Sequence, residues 1–74
     1  MDMDRPRLAL TSFDRAIRVN DRYAEAYYGR AESHRALGNA PEAITAYEAY
    51  LSRAPQGGEK RAAELALKRL RAEP

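Results

Sequence analysis

The sequence predicts an all-α fold of about four antiparallel helices, and three observations carry that expectation. Ala, Arg, Leu and Glu, all good helix formers, dominate the 74 residues, and runs of β-branched residues are absent. Apolar side chains recur at three- and four-residue spacing, the period of a helix with one buried face. Gly and Pro punctuate the chain, and the connections they mark are short enough to favour antiparallel neighbours.

The first helix is expected from about Pro6 to Val19. Asp4 can cap its free N–H groups, Pro6 is tolerated in the first turn, and Ala9, Leu10, Phe13, Ala16 and Ile17 supply the apolar face. Asn20-Asp21 is a weak stop and a plausible cap for a second helix. That helix carries Ala24, Tyr27, Ala31 and His34 along one stripe and ends at Gly38, where a left-handed residue is tolerated. Asn39 followed by Glu42 reads as a capping box for a third helix, with Ala43, Ile44, Tyr47, Tyr50 and Leu51 on its apolar side. Pro55-Gln56-Gly57-Gly58 closes it. A fourth amphipathic helix fits Glu59 to about Arg71, with Ala63, Ala66, Leu67 and Leu70 on one stripe.

Composition narrows the function. No cysteine is present, so disulfides and thiolate metal sites are excluded. The formal charge of +2 comes from basic and acidic residues that are interspersed, which is the pattern of a solvated helix surface and not of a nucleic-acid patch. The basic residues are mostly Arg, whose fork geometry suits an acidic partner. No stretch reaches the ~20 apolar residues needed to span a bilayer, and the N-terminus has no apolar run of a signal peptide, so a soluble cytoplasmic protein is expected, without a membrane partner. His34 is the single histidine. It has no second His or Cys for a metal and no marked nucleophile partner, so no metal, no cofactor and no catalytic residues are expected, and the chain does not read as an enzyme.

Sliding the chain by 34 residues superposes Ala9 on Ala43, Leu10 on Ile44, Phe13 on Tyr47, Ile17 on Leu51 and Asp21 on Pro55. The first helix is therefore a relative of the third. The segment Ala24 to Gly57 resembles one whole tetratricopeptide repeat: Tyr27 at a bulky position, Ala31 and Ala43 at the small ones, Gly38-Asn39 at the turn, Tyr47 at the aromatic position and Pro55 at the end. Arg30 and Tyr50 depart from that pattern, since Leu and a small residue are usual there. The resemblance implies a right-handed superhelical stack within a single domain over 1–74. A half repeat would fill 6–23, a full repeat 24–57 and a capping helix 58–74. Continued at strict spacing, the last helix would bury Arg61, Glu64 and Lys68. A two-residue shift at Gly57-Gly58 buries Ala63, Ala66, Leu67 and Leu70 instead, and burying apolar groups wins over burying charges.

The same resemblance implies a protein–protein interaction module that binds a peptide or helix. Its groove would be lined by Glu25, Tyr28, Glu32 and Arg35, together with Gly29 and Ala36, and Arg61, Glu64 and Lys68 are further candidates. Tyr27 and Tyr47 are expected in the core, and Tyr23 and Tyr50 at junctions or interfaces. The first helix lacks the partner helix that a complete repeat would give it. Two readings stay open for its apolar face of Leu10, Phe13 and Ile17. Either it stays partly exposed, or it is covered by a partner or by a second copy in a homo-oligomer. Asn20 to Tyr23 contains neither Gly nor Pro, so the first two helices could fuse and exchange in a domain-swapped dimer. A structural oligomerisation element without a separate ligand is the alternative function.

Overall fold

The computed structural model describes residues 5–72. Four helices follow one another: α1 Arg5–Val19, α2 Ala24–Ala36, α3 Ala40–Arg53 and α4 Lys60–Ala72. Among the described residues there is no strand, and no helix is long and apolar enough to cross a membrane. Each helix packs chiefly on its neighbours in sequence, α1 on α2, α2 on α3 and α3 on α4, so the chain is a short stack of hairpins.

The helix ends follow local chemistry. Gly38 has φ of 80°, and this left-handed residue lets the Asn39 N–H donate to His34 O (2.8 Å) and the Gly38 N–H to Arg35 O (3.0 Å). That pair of bonds is a Schellman motif, which satisfies the last carbonyls of α2 and reverses the chain. It also decides what Asn39 can do. The side chain of Asn39 makes no cap bond to α3, because its amide lies beside His34 Nδ1 at 3.3 Å. The expected capping box with Glu42 is therefore not formed. The expected Asp4 cap lies outside the described residues.

The junction between α1 and α2 is a turn, not a continuous helix. Asn20 Oδ1 accepts the Arg22 N–H at 3.1 Å, a local bond that competes with helical pairing. The carbonyl of Asp21 then accepts both Tyr27 Oη–H (3.1 Å) and Arg53 Nε–H (2.7 Å). The Arg53 guanidinium also covers the Tyr27 ring, 4.2 Å from its centroid. A fused first helix would give up this tie between the turn and the end of α3, so the chain taken singly does not adopt it.

The core sits between α2, α3 and α4. Ala31, Ala43, Tyr47 and Ala63 are completely buried, with Tyr27, Tyr50, Ala46 and Leu67 around them. Small residues on facing helices bring the backbones close, and the tyrosine rings fill the space between. The two-residue shift expected for the last helix is observed: Ala63 and Leu67 are buried, Ala66 and Leu70 pack against the core, and Arg61, Glu64 and Lys68 are exposed. Arg71 pairs with Glu48 and fastens α4 to α3.

Tyr50 is a core residue that also organises a junction. Its hydroxyl accepts the Glu59 N–H at 2.9 Å, and a Cβ on Gly57 would stand 2.4 Å from that oxygen. The large side chain at a normally small position is thus accommodated by Gly57, whose missing Cβ leaves room for the hydroxyl.

α1 is held more loosely, since none of its residues is fully buried. Its contact with α2 rests on the Phe13 ring, which lies over Gly29, and on Arg30, whose Nε stands 3.2 Å from Asp14 Oδ1. A Cβ at Gly29 would approach three carbons of the Phe13 ring to 2.2–2.6 Å. The α2 backbone lies beneath the ring, so it can give only by swinging outward. Gly29→Ala is expected to destabilise by up to ~2 kcal/mol, overlap outweighing the ~1 kcal/mol gain in helix propensity. In a Phe13→Ala background the same change becomes stabilising by ~0.5–1 kcal/mol. Urea titration of the four combinations reads that reversal of sign.

Candidate functional site

α2 places Tyr28, Glu32 and Arg35 on one stripe, spaced four and three residues apart as a helix face requires. α4 turns Ala62, Leu65, Ala66 and Arg69 toward them, with Leu70 at one side. Tyr47 of α3 forms the floor, and Gly38 and Ala40 close one end. Together they enclose a groove of ≈ 550 Å³.

The floor is held by one carboxylate. Glu32 Oε1 accepts the Tyr28 hydroxyl at 3.0 Å, and Oε2 accepts the Tyr47 hydroxyl at 2.7 Å. Arg35 adds Nε and Nη2 on the same Oε2, at 3.0 and 2.7 Å. The rings reinforce this arrangement. Tyr28 meets Tyr47 edge-on with centroids 5.9 Å apart and meets Tyr50 at 5.4 Å, both in the range where aromatic pairs attract.

Protonation follows from these contacts. Burial alone raises the Glu32 pKa, but hydrogen bonds from Tyr47, Arg35 and Tyr28 outweigh it and hold the carboxyl below its ordinary value. Burial, then the bond to Glu32, pushes Tyr28 up to about 12 and raises Tyr47 as well. A depressed carboxylate contributes stability that is present above its unfolded value of 4.5 and lost as pH falls through the lower folded value. Raised phenols contribute stability that is present below 10 and lost as pH climbs toward about 12. Thermal melts should therefore decline below pH 4.5 and above pH 10. Glu32→Gln removes the titrating group, so it should melt lower at neutral pH and flatten the acid limb. An acid limb of unchanged steepness in that variant would show that Glu32 is not its source.

The structure brings together three of the four groove residues expected from sequence. Tyr28, Glu32 and Arg35 converge, but Tyr28 and Glu32 are mutually engaged parts of the floor and not free prongs. Glu25 is exposed on the same helix, beyond the groove lining. Gly29 lies under Phe13, Ala36 stays outside, and Arg61, Glu64 and Lys68 also lie off the lining. Sequence reasoning missed Ala62, Leu65 and Arg69. α4 lines the groove with the flank that turns back toward α2, not with the stripe corresponding to Tyr28 and Glu32. The signal was available: once Ala66 and Leu70 are placed inward, residues 62, 65 and 69 must flank them.

The α1 residues Leu10, Phe13 and Ile17, expected as a self-association face, are each half-buried within the single chain. Phe13 lies against Gly29, and Ile17 packs against the core. The apolar residues of α1 that do face outward are Leu8 and Val19, 65% and 88% exposed. His34 is half-buried beside Asn39, in a structural position. No cluster of His, Cys, Asp or Glu able to hold a metal occurs among the described residues.

Comparison with known proteins agrees with this architecture. No curated protein and no solved structure gives a significant match. A family model described as tetratricopeptide repeat matches residues 1–59, which takes in α1, α2 and α3 entire. The paired helices with their small-residue contacts and the extent of that match lead to one assignment: the chain belongs to the tetratricopeptide repeat family.

Proposed function

We propose that this chain is a non-enzymatic interaction module whose α2–α4 groove receives a peptide or helix of another protein. Tetratricopeptide repeats generally act as protein–protein interaction modules. The observation that carries the reading here is the groove of ≈ 550 Å³ with Tyr28 and Tyr47 on its floor and a half-exposed Leu65 on its wall. An apolar wall beside fixed polar groups supplies both contact area and orientation. The pre-formed floor lowers the cost of ordering on binding, because Glu32 already holds both tyrosines in place.

Filling the groove from within tests the proposal. Ala62→Trp adds a bulky uncharged side chain on an exposed turn of α4, where the fold tolerates it. A partner identified in the native host should lose binding by tenfold or more, about 1.4 kcal/mol, while helicity and melting stay unchanged. Binding that survives in the folded variant removes the groove from the account.

A second reading, self-association through α1, is favoured by Leu8 and Val19 standing exposed on a helix with no fully buried residue. Sedimentation at high concentration that returns only a monomer of 8.3 kDa contradicts it.

A further inference from the structure

We infer that the groove selects a protein segment in which a carboxylate side chain lies next to an aliphatic one. This rests on the reading of the α2–α4 groove as the binding site and adds the chemistry of its occupant. From sequence alone the groove looks balanced, with Glu32 set against Arg35 in the same stripe. The hydrogen bonds change that balance. A carboxylate offers about four acceptor sites, and Glu32 already receives four donated bonds, one from Tyr28, one from Tyr47 and two from Arg35. Three of these bonds converge on Oε2 and one on Oε1, and the Arg35 guanidinium balances the charge, so a single Oε1 acceptor site is what remains for a ligand donor.

The cations are not spent in the same way. Arg35 uses Nε and Nη2 on Glu32, and its other guanidinium nitrogen is engaged by no such bond. Arg69, on the opposite wall, has no ion-pair or hydrogen-bond partner among the described residues. Glu25, Glu59 and Glu64, the acidic residues nearest in sequence to the two walls, are exposed and do not line the groove. A ligand therefore meets one unpaired guanidinium, the remaining donors of a second, and no free anion on the lining itself, Glu59 acting on Tyr28 only from beyond it.

The wall between these donors is apolar. Leu65 is half-exposed, and Ala62 and Ala66 leave room for a branched side chain beside it. An aliphatic group seated on Leu65 places its neighbouring carboxylate toward Arg69, where a planar guanidinium can grip both oxygens. A phosphate backbone fits less well, because nucleic-acid affinity depends on several cations in a row and the groove offers two.

Two amidated, N-acetylated helical peptides test the inference, alike except that each Glu placed four residues from a Leu in one is Gln in the other. Titration of the isotope-labelled chain, followed by amide shifts, reads both site and affinity. The Leu–Glu peptide should move amides of Tyr28–Arg35 and Ala62–Leu70 and should bind roughly threefold to fivefold tighter than the Leu–Gln peptide at low salt. Raising the salt should shrink that difference. Arg69→Gln should abolish the preference and Arg69→Glu should reverse it, with helicity preserved because the side chain is exposed. Equal binding of the two peptides in the groove overturns the carboxylate preference and leaves the groove reading intact. Shifts confined to other surfaces, or none with either peptide, overturn both. An oligothymidylate that binds in the groove as tightly as the Leu–Glu peptide also overturns the preference.

Discussion

Tyr47→Ala is expected to abolish the cooperative melt of this chain at 25 °C. The ring is completely buried at the meeting of α2, α3 and α4, and truncating a buried aromatic costs ~3–5 kcal/mol. A core of this size rarely supplies more than ~3–5 kcal/mol in total, so the deficit consumes the whole margin. Tyr47→Phe separates packing from hydrogen bonding. It keeps the ring and deletes only the donor to Glu32 (2.7 Å), a loss of ~1 kcal/mol because water can reach the half-buried carboxylate in its place. Circular dichroism melts of the pair should show an unfolded chain and a modestly weakened one. Equal effects would mean that the hydroxyl, not the ring, is the support.

The second large effect is expected from overfilling. Ala31 and Ala43 are both completely buried in one core cluster, on facing helices. Leu at position 43 has no space to enter, and α2 and α3 must separate to admit it. Overpacking of a well-filled site costs ~1–3 kcal/mol and occasionally more, and here it also displaces the floor of the groove. Ala36→Leu adds the same atoms to an exposed position on α2 and should stay within ~0.5 kcal/mol of the parent. Denaturant midpoints compare the two. If Ala43→Leu is as stable as Ala36→Leu, α2 and α3 are not in close contact.

Much of the fold was legible because backbone punctuation and helical period agreed. Gly38 marks the reversal after α2, Pro55 the stop after α3, and the small residues at 31 and 43 the place where two helices touch. The register of α4 was legible on energetic grounds, since only the shifted frame keeps Arg61, Glu64 and Lys68 in water. Other features depend on contacts between residues distant in sequence. The junction of α1 and α2 is fixed as a turn by Arg53, which lies 32 residues beyond the Asp21 carbonyl it grips. Asn39 loses its capping role to His34. Tyr50 looked like a junction residue, and only the close approach of Gly57 shows how a large ring fits at a position that is usually small. At the candidate site the α2 half could be read from its stripe. The α4 half could be read only in a second step, because residues 62, 65 and 69 are placed as flanks only after the inward position of Ala66 and Leu70 has set the rotation of the helix.

The charge of the groove follows the same logic. Glu32 reads as a recognition residue in the sequence and is tied to Tyr28, Tyr47 and Arg35 in the fold, and on the proposed reading this leaves the arginines to face a ligand. Everything proposed for the site depends on the aromatic floor that Glu32 organises. The most direct test is a nuclear Overhauser spectrum of the chain with labelled tyrosine rings. Ring centroids 5.9 Å and 5.4 Å apart predict cross-peaks from Tyr28 to both Tyr47 and Tyr50. A Tyr28 ring that shows contacts only within its own residue and to water would mean that the floor does not exist.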